Sequence, residues 1–345
     1  MMIAVGLLVV LAIALFAFTR FNVWRLQRRY PPLGTFTDVG GYRLHCVDLP
    51  PAEGHDLPPL LFIHGASGNL RDQMRAFRKH LEGRARLVFV DRPGHGYSER
   101  GPSANDRPDG QAAAIAALLA RKGIDRAIVV AHSLGCAIAA SFAVQFPERT
   151  AGLVMLAPAT HPWPGGVAWY NRLTARTPFG ALFAHLVAMP AGLAVIDEGM
   201  KGVFAPNPMP PGFRETAPAL VLRPRAFRAN AADLSNLHAF VVAEAGRYRS
   251  IKAPTVIVTG DDDRVVLPDL HARGLYRDIE GSQLIWLKNV GHKPDYVAAD
   301  LAVAAIEKVA GHDRDPQALV PVVERRVAED ASDADQMPLS PSEPI

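Results

Sequence analysis

The sequence predicts an α/β protein: a mostly parallel sheet with helices on both faces, an inserted helical segment, and an apolar helix ahead of it all. Three observations predict it. First, the short apolar runs PPLLFIHG, RLVFVDRPGHG, RAIVVAHSLG, GLVMLAP, APTVIVTGDDD and SQLIWLKNVGH recur along the chain, most of them running into Gly, Asp, His or Ser. Second, helix-length stretches at 70–81, 110–121, 134–146 and 268–277 lie between most of these runs. Wholly apolar strands alternating with helices make a parallel sheet buried on both sides, and such a sheet places its chemistry at the carboxyl ends of the strands. Third, the alternation lapses from 160 to 250, where apolar stretches punctuated by prolines read as short helices inserted between two strands.

The chain has 345 residues, 49% of them hydrophobic, which is ample for a sizeable core. A formal charge of +3, with no interior cluster of Lys and Arg interleaved with aromatics, argues against a nucleic-acid partner. Cys46 and Cys136 are far apart and lack CxxC spacing, so neither a disulfide framework nor a zinc site is expected. Oligomeric state leaves no signature.

Residues 1–19, MMIAVGLLVVLAIALFAFT, carry no charged side chain. As a helix they reach roughly 28 Å, close to the hydrocarbon thickness of a bilayer. A cleaved signal peptide needs a basic n-region and a small-x-small cleavage site. No Lys or Arg precedes this run and FAFTRF is a poor site, so a retained membrane anchor is the expectation. Arg20, Arg25, Arg28 and Arg29 follow the span, with Trp24 and Tyr30 suited to its interface, which orients the remainder of the chain toward the cytoplasm. RRYPPLG then reads as a linker, 20–34 being basic and proline-bearing.

After the linker, TFTDVGGYRLHCVDL reads as a hairpin turning at Gly40 and Gly41. The expected core spans 35–159 and 251–311, with the helical cap at 160–250 between its parts. The cap's aromatics, among them Trp163, Trp169, Phe179, Phe183 and Phe204, serve packing or face a substrate. From 312 to 345 the chain is acidic with scattered Ser and Pro, and a disordered tail is expected.

The chemistry-bearing residues sit where the strands end. Ser133 follows IVVAH and precedes the small-residue helix LGCAIAASFAVQF. A serine on a strand-to-helix turn needs small neighbours two residues away on either side, and Ala131 and Gly135 supply them. The helix that begins there aims N–H groups and a positive dipole end at a developing oxyanion. A serine hydroxyl is a weak nucleophile without a base. His292, in NVGHKPDY after the last expected strand, is at the right end of the sheet to serve. An acid must orient that imidazole, and of the aspartates in TGDDDRVV, Asp263 is the first choice and Asp262 the second. In LFIHGASGN, the turn through His64 and Gly65 can aim the Ala66 N–H at the same point as that of Leu134, giving two oxyanion donors. His64 and, in DRPGHGYS, His95 read as braces of their turns.

Ser133, Asp263 and His292 each follow a different strand, in an order associated with one class of hydrolases. With HGASGN, DRPGHGYS, AHSLG, GDDDR and GH in this sequence, residues 36–310 resemble the α/β-hydrolase superfamily, and its cap-bearing esterase, lipase and peroxidase-like members in particular. The resemblance implies an eight-stranded sheet, a lid between the sixth and seventh strands, a Ser-His-Asp triad and no cofactor or metal. The elbow departs from the usual G-x-S-x-G-G, having Ala131 first and Cys136 last. The expectation is a serine hydrolase acting on a small hydrophobic ester or lipid. The competing readings are a carbon–carbon bond hydrolase or cofactor-free peroxidase using the same triad, and a non-catalytic binding protein of this fold.

Overall fold

The computed structural model describes residues 2–177 and 179–336. One sheet organises the chain. Its strands are β1 (Thr35–Asp38), β2 (Arg43–Leu49), β3 (Leu60–Ile63), β4 (Leu87–Val90), β5 (Ala127–His132), β6 (Thr150–Leu156), β7 (Thr255–Gly260) and β8 (Gln283–Leu287), in the order β1-β2-β4-β3-β5-β6-β7-β8. β1 and β2 form the expected antiparallel hairpin, β2 pairs antiparallel with β4, and β3 to β8 run parallel. The eight strands and their mostly parallel sense agree with the sequence reading.

The strand interiors are apolar throughout because both faces are covered. Leu61, Ile63, Val129, Ala131, Leu153, Met155 and Ile257 face one helical layer. Leu60, Phe62, Ile128, Val130, Val154, Leu156, Val256 and Val258 face the other. The first layer includes α3 (Pro108–Arg121), α4 (Leu134–Gln145) and α9 (Pro268–Asp278), the second α2 (Leu70–Leu81) and, after the short α10 (Pro294–Val297), α11 (Ala299–Val309). Strand order reverses between β3 and β5, with Ile63 level with Ala131, so HGA after β3 and HS at the end of β5 emerge side by side. Such a switch point is where α/β sheets form a crevice.

Between β6 and β7 the chain is helical: α5 (Trp169–Arg176), α6 (Phe179–Leu186), α7 (Ala188–Phe204) and α8 (Pro224–Glu244). The last of these reaches back to the core, where Leu237, Phe240 and Val241 join the first layer. Ahead of the sheet, α1 runs from Met2 to Arg29 without a break. The basic stretch expected as a linker is therefore helical until Pro31 and Pro32 stop it. Its Arg, Leu, Gln and Trp residues tolerate a helix, and Arg28 and Arg29 suit the negative end of the dipole.

The tail expected to be disordered differs too. It forms α12 (Val320–Gln336), whose Val320, Val323 and Val327 are buried in the second layer. Arg326 donates to Asp300 through two 2.9 Å hydrogen bonds. Three valines at helical spacing are enough of an apolar stripe to dock a helix, and the acidic composition around them conceals it. Residues 337–345 of that expected tail lie outside the described residues.

Candidate active site

Ser133 occupies the turn between β5 and α4 at φ 55°, ψ −123°, a conformation non-glycine residues rarely adopt. The surroundings fix it there. Its N–H donates to Leu156 O at 2.9 Å, and its carbonyl accepts from Cys136 N at 2.9 Å and Ala159 N at 3.2 Å. A Cβ at Gly135 would stand 2.5 Å from Ile63 O, and one at Gly65 would stand 3.0 Å from the Ser133 Cβ. Glycine at both positions lets the β3 and β5 turns close on one another.

His292 comes to the serine through two loops that interlock. Asp262 N donates to Val290 O at 3.2 Å and Asn289 N to Asp261 Oδ1 at 2.7 Å, while the Gly260 α-carbon lies so close to Val290 O that a side chain there would collide. Gly291 N donates to Asn207 Oδ1 at 2.9 Å, tying the loop to the insert. In the result, His292 Nε2 lies 2.9 Å from Ser133 Oγ and its Nδ1 lies 2.7 Å from Asp263 Oδ2. Asp263 Oδ1 accepts from Val265 N at 2.8 Å and Val266 N at 3.0 Å. All three side chains are buried. Asp262, the second choice from sequence, points outward and pairs with Arg264.

The other histidines near the turn are braces. His64 Nε2 accepts from Arg92 N at 3.1 Å, so its proton is on Nδ1, 2.9 Å from Gly65 O. Burial, reinforced by Arg92, keeps His64 neutral with its pKa well below the usual value. His132 is likewise held neutral by burial and by nearby Lys293, and its Nε2–H donates to His292 O at 2.8 Å. Next to His292, Lys293 Nζ sits 3.0 Å from both Asp72 Oδ2 and Asp295 Oδ2. Burial pushes the Asp295 carboxyl up to about 6 against the pull of Lys293.

The amides of Ala66 and Leu134 donate to no backbone carbonyl among the described residues, and Leu134 opens α4, where the first N–H groups lack helical partners. The Ala66 loop is anchored by residues that sequence reasoning missed. Ser67, at φ 57°, donates its N–H to Asn230 Oδ1 of α8 at 2.7 Å. Arg92 Nη2 donates to Gly65 O at 3.1 Å, and Arg92 Nη1 donates to Asp233 Oδ2 of α8 at 2.6 Å. Arg100 meets the other oxygen of Asp233 at 2.6 Å. No spacing in the sequence flags Asn230 or Asp233, whose partners are more than 130 residues away. Among the described residues no group of three or more His, Cys, Asp or Glu is placed to hold a metal ion.

A serine, imidazole and carboxylate in one hydrogen-bonded line, reached from three strand ends of a mostly parallel eight-stranded sheet, match an established family. The family model for the alpha/beta hydrolase fold matches residues 58–294, more than half of the chain. The chain belongs to the alpha/beta hydrolase fold family. It is 27% identical over 247 residues to Lipase 1 of Psychrobacter immobilis, an alignment covering 70% of this chain and 73% of the lipase. It is 26% identical over 273 residues to the 2-hydroxy-6-oxo-6-phenylhexa-2,4-dienoate hydrolase of Burkholderia cepacia, covering 76% of this chain and 89% of that enzyme. Among solved structures it is similar to a bacterial membrane phospholipase A, at a TM-score of 0.59 and 22% identity, over 90% of this chain and 96% of that one. At that identity the structural likeness speaks to fold alone. The elbow departs from G-x-S-x-G-G in having Ala131 and Cys136, and both are fully buried, Cys136 donating weakly to Ala131 O at 3.2 Å.

Proposed function

We propose that this hydrolase-fold protein is a serine hydrolase of carboxylic esters with a hydrophobic, lipid-like acyl part, held at a membrane by α1. The observation that carries the reading is the continuous line from Asp263 through His292 to Ser133. Asp263 accepts a hydrogen bond from Nδ1–H, which holds the proton on that nitrogen and leaves Nε2 as the base facing the hydroxyl. Ser133 Oγ gives its proton to Nε2 and attacks the ester carbonyl, and the oxyanion draws on the Ala66 and Leu134 amides. Imidazolium then protonates the departing alkoxide. Water, deprotonated by the same nitrogen, cleaves the acyl-enzyme and returns Ser133. Each oxyanion donor contributes on the order of 3 kcal/mol to the transition state.

The lipase-named relative and the length and apolarity of α1 support a hydrophobic acyl substrate. A second reading, hydrolysis of a carbon–carbon bond beside a ketone, is favoured by the relative named for that reaction, which the alignment covers almost end to end. Rates on p-nitrophenyl esters of graded acyl length and on a vinylogous 1,5-diketone separate the two. The ester reading expects kcat/KM to rise with acyl length and the diketone to be spared; efficient diketone cleavage with little ester turnover overturns it.

A further inference from the structure

Helices α5 to α7 leave an apolar surface that the fold does not use. On α7 the inward side is already occupied: Met189, Leu193, Ile196, Met200 and Phe204 lie in or against apolar clusters beneath it. Facing outward are Trp169, 70% exposed, Phe179 at 69%, Leu182 at 57% and Val195 at 63%. From 179 to 196 the only titratable side chain is His185, whereas Asp197, Glu198 and Lys201 follow directly. An amphipathic core helix buries one face and wets the other; this segment is apolar on both.

What covers that surface is indicated by its neighbour. The lower part of α1 docks on the insert, with Leu26 and Tyr30 in one cluster with Met189, Leu220 and Leu222, and Tyr30 Oη donating to Arg214 O. Higher on the same helix, Phe16 makes an edge contact with His185 of α6 at 5.8 Å. Arg20 is the first charge after the apolar stretch, one turn beyond Phe16. If the hydrocarbon begins near Arg20, Phe16 and therefore α6 lie about 6 Å inside it, the depth at which interfacial helices rest. The exposed side chains of α6 are thus continuous with the bare part of α1 and at the same level.

We propose that α6 and the first half of α7, flanked by Trp169 at the start of α5, are embedded in the acyl boundary of a lipid bilayer beside α1, forming a platform through which lipid substrate enters from the membrane. This deepens, and rests on, the reading of α1 as an anchor and of the substrate as lipid-like. From Trp169 the aromatic rings continue inward through Phe183, at 6.3 Å, to Phe227 of α8, at 6.2 Å. One turn along α8 from Phe227 stands Asn230, which holds the loop that carries Ala66. The row of rings thereby leads from the apolar surface to the turn of α8 that holds the Ala66 loop.

The full chain carrying an environment-sensitive fluorophore on a single introduced cysteine tests this, since Cys46 and Cys136 are buried. Leu182→Cys and, independently, Phe179→Cys report the platform; Val10→Cys reports α1, and Glu280→Cys reports a site far along the chain in the turn before β8. In vesicles of phosphatidylcholine with a minor share of phosphatidylglycerol, the labels at 179, 182 and 10 should brighten several-fold, shift to the blue and be quenched by shallowly brominated lipid, while the label at 280 stays aqueous. A lipid-quenched label at 10 with 179 and 182 behaving like 280 overturns the platform. Aqueous behaviour at all four positions overturns both anchor and platform. Phosphonate labelling of Ser133 in the same vesicles reports the hydrolase reading separately, so its failure is distinguishable from that of the platform.

Discussion

Replacing Asp263 with Asn isolates the role of the carboxylate, because the structure dictates how the amide must sit. One oxygen of Asp263 accepts two backbone N–H groups, from Val265 and Val266, and the other accepts the Nδ1 proton of His292. Asparagine has a single oxygen. Turning its NH2 toward these two part-buried N–H donors would forfeit both hydrogen bonds, at roughly 0.5–1.5 kcal/mol each. The oxygen therefore stays with the valines and the NH2 faces His292. Nδ1 must then accept rather than donate, the ring proton moves to Nε2, and the nitrogen that faces Ser133 Oγ can no longer take its proton. Rotating the amide to restore the tautomer therefore costs roughly 1–3 kcal/mol, so the wrong form dominates. The analogous replacement in serine-protease triads lowers kcat by about 10⁴, or ~5.4 kcal/mol in the barrier at 1.36 kcal/mol per tenfold. The assay is steady-state hydrolysis of the best p-nitrophenyl ester, with circular dichroism to confirm folding. We expect a kcat reduced by about 10⁴ with KM little changed. A folded Asp263→Asn protein within tenfold of the wild-type kcat would refute the tautomer argument.

Three further outcomes are expected. Ser133→Ala should lower ester turnover by on the order of 10⁶ while its thermal melt stays close to wild type, because alanine fits the same turn; retained turnover at the wild-type rate would place the nucleophile elsewhere. Asp233→Ala leaves the fully buried Arg92 guanidinium without its carboxylate, so the free energy of unfolding in urea should fall by about 3–5 kcal/mol; kcat should fall as well, since Arg92 also holds Gly65 O. Asp278 is held at about 2 by Arg277 and, secondarily, His161. Its stabilisation is complete above the ordinary aspartate pKa of about 4 and is lost as pH falls through about 2. Asp278→Asn should therefore melt lower at neutral pH and lose less melting temperature than wild type between those two values.

Much of the fold was legible because buried parallel strands write themselves as continuous apolar runs, and three of those runs lead into Ser133, Asp263 and His292, which the structure brings together. The meeting of Ser133 and His292 could be anticipated because each follows a separate strand at the same end of the sheet. Asp263 and Asp262 stayed open, because adjacent aspartates differ only in where the turn points them, and it is the pairing of Asp262 with Arg264 that separates them. Asn230 and Asp233 were hidden for a different reason: they sit on an inserted helix and act on loops over a hundred residues away, a relation with no local period. Local composition misled at both ends. The arginines after the apolar span suggested a linker where α1 continues to Arg29, and acidic residues masked the valine stripe of α12.

The central claim is that Ser133 is a nucleophile armed by His292. Incubating the full chain with a fluorophosphonate and mapping the adduct by peptide mass spectrometry tests it most directly. The account predicts stoichiometric modification at Ser133 in the wild type and its loss in His292→Ala. An unmodified Ser133 in the folded wild-type protein, or equal labelling when the histidine is gone, would contradict it.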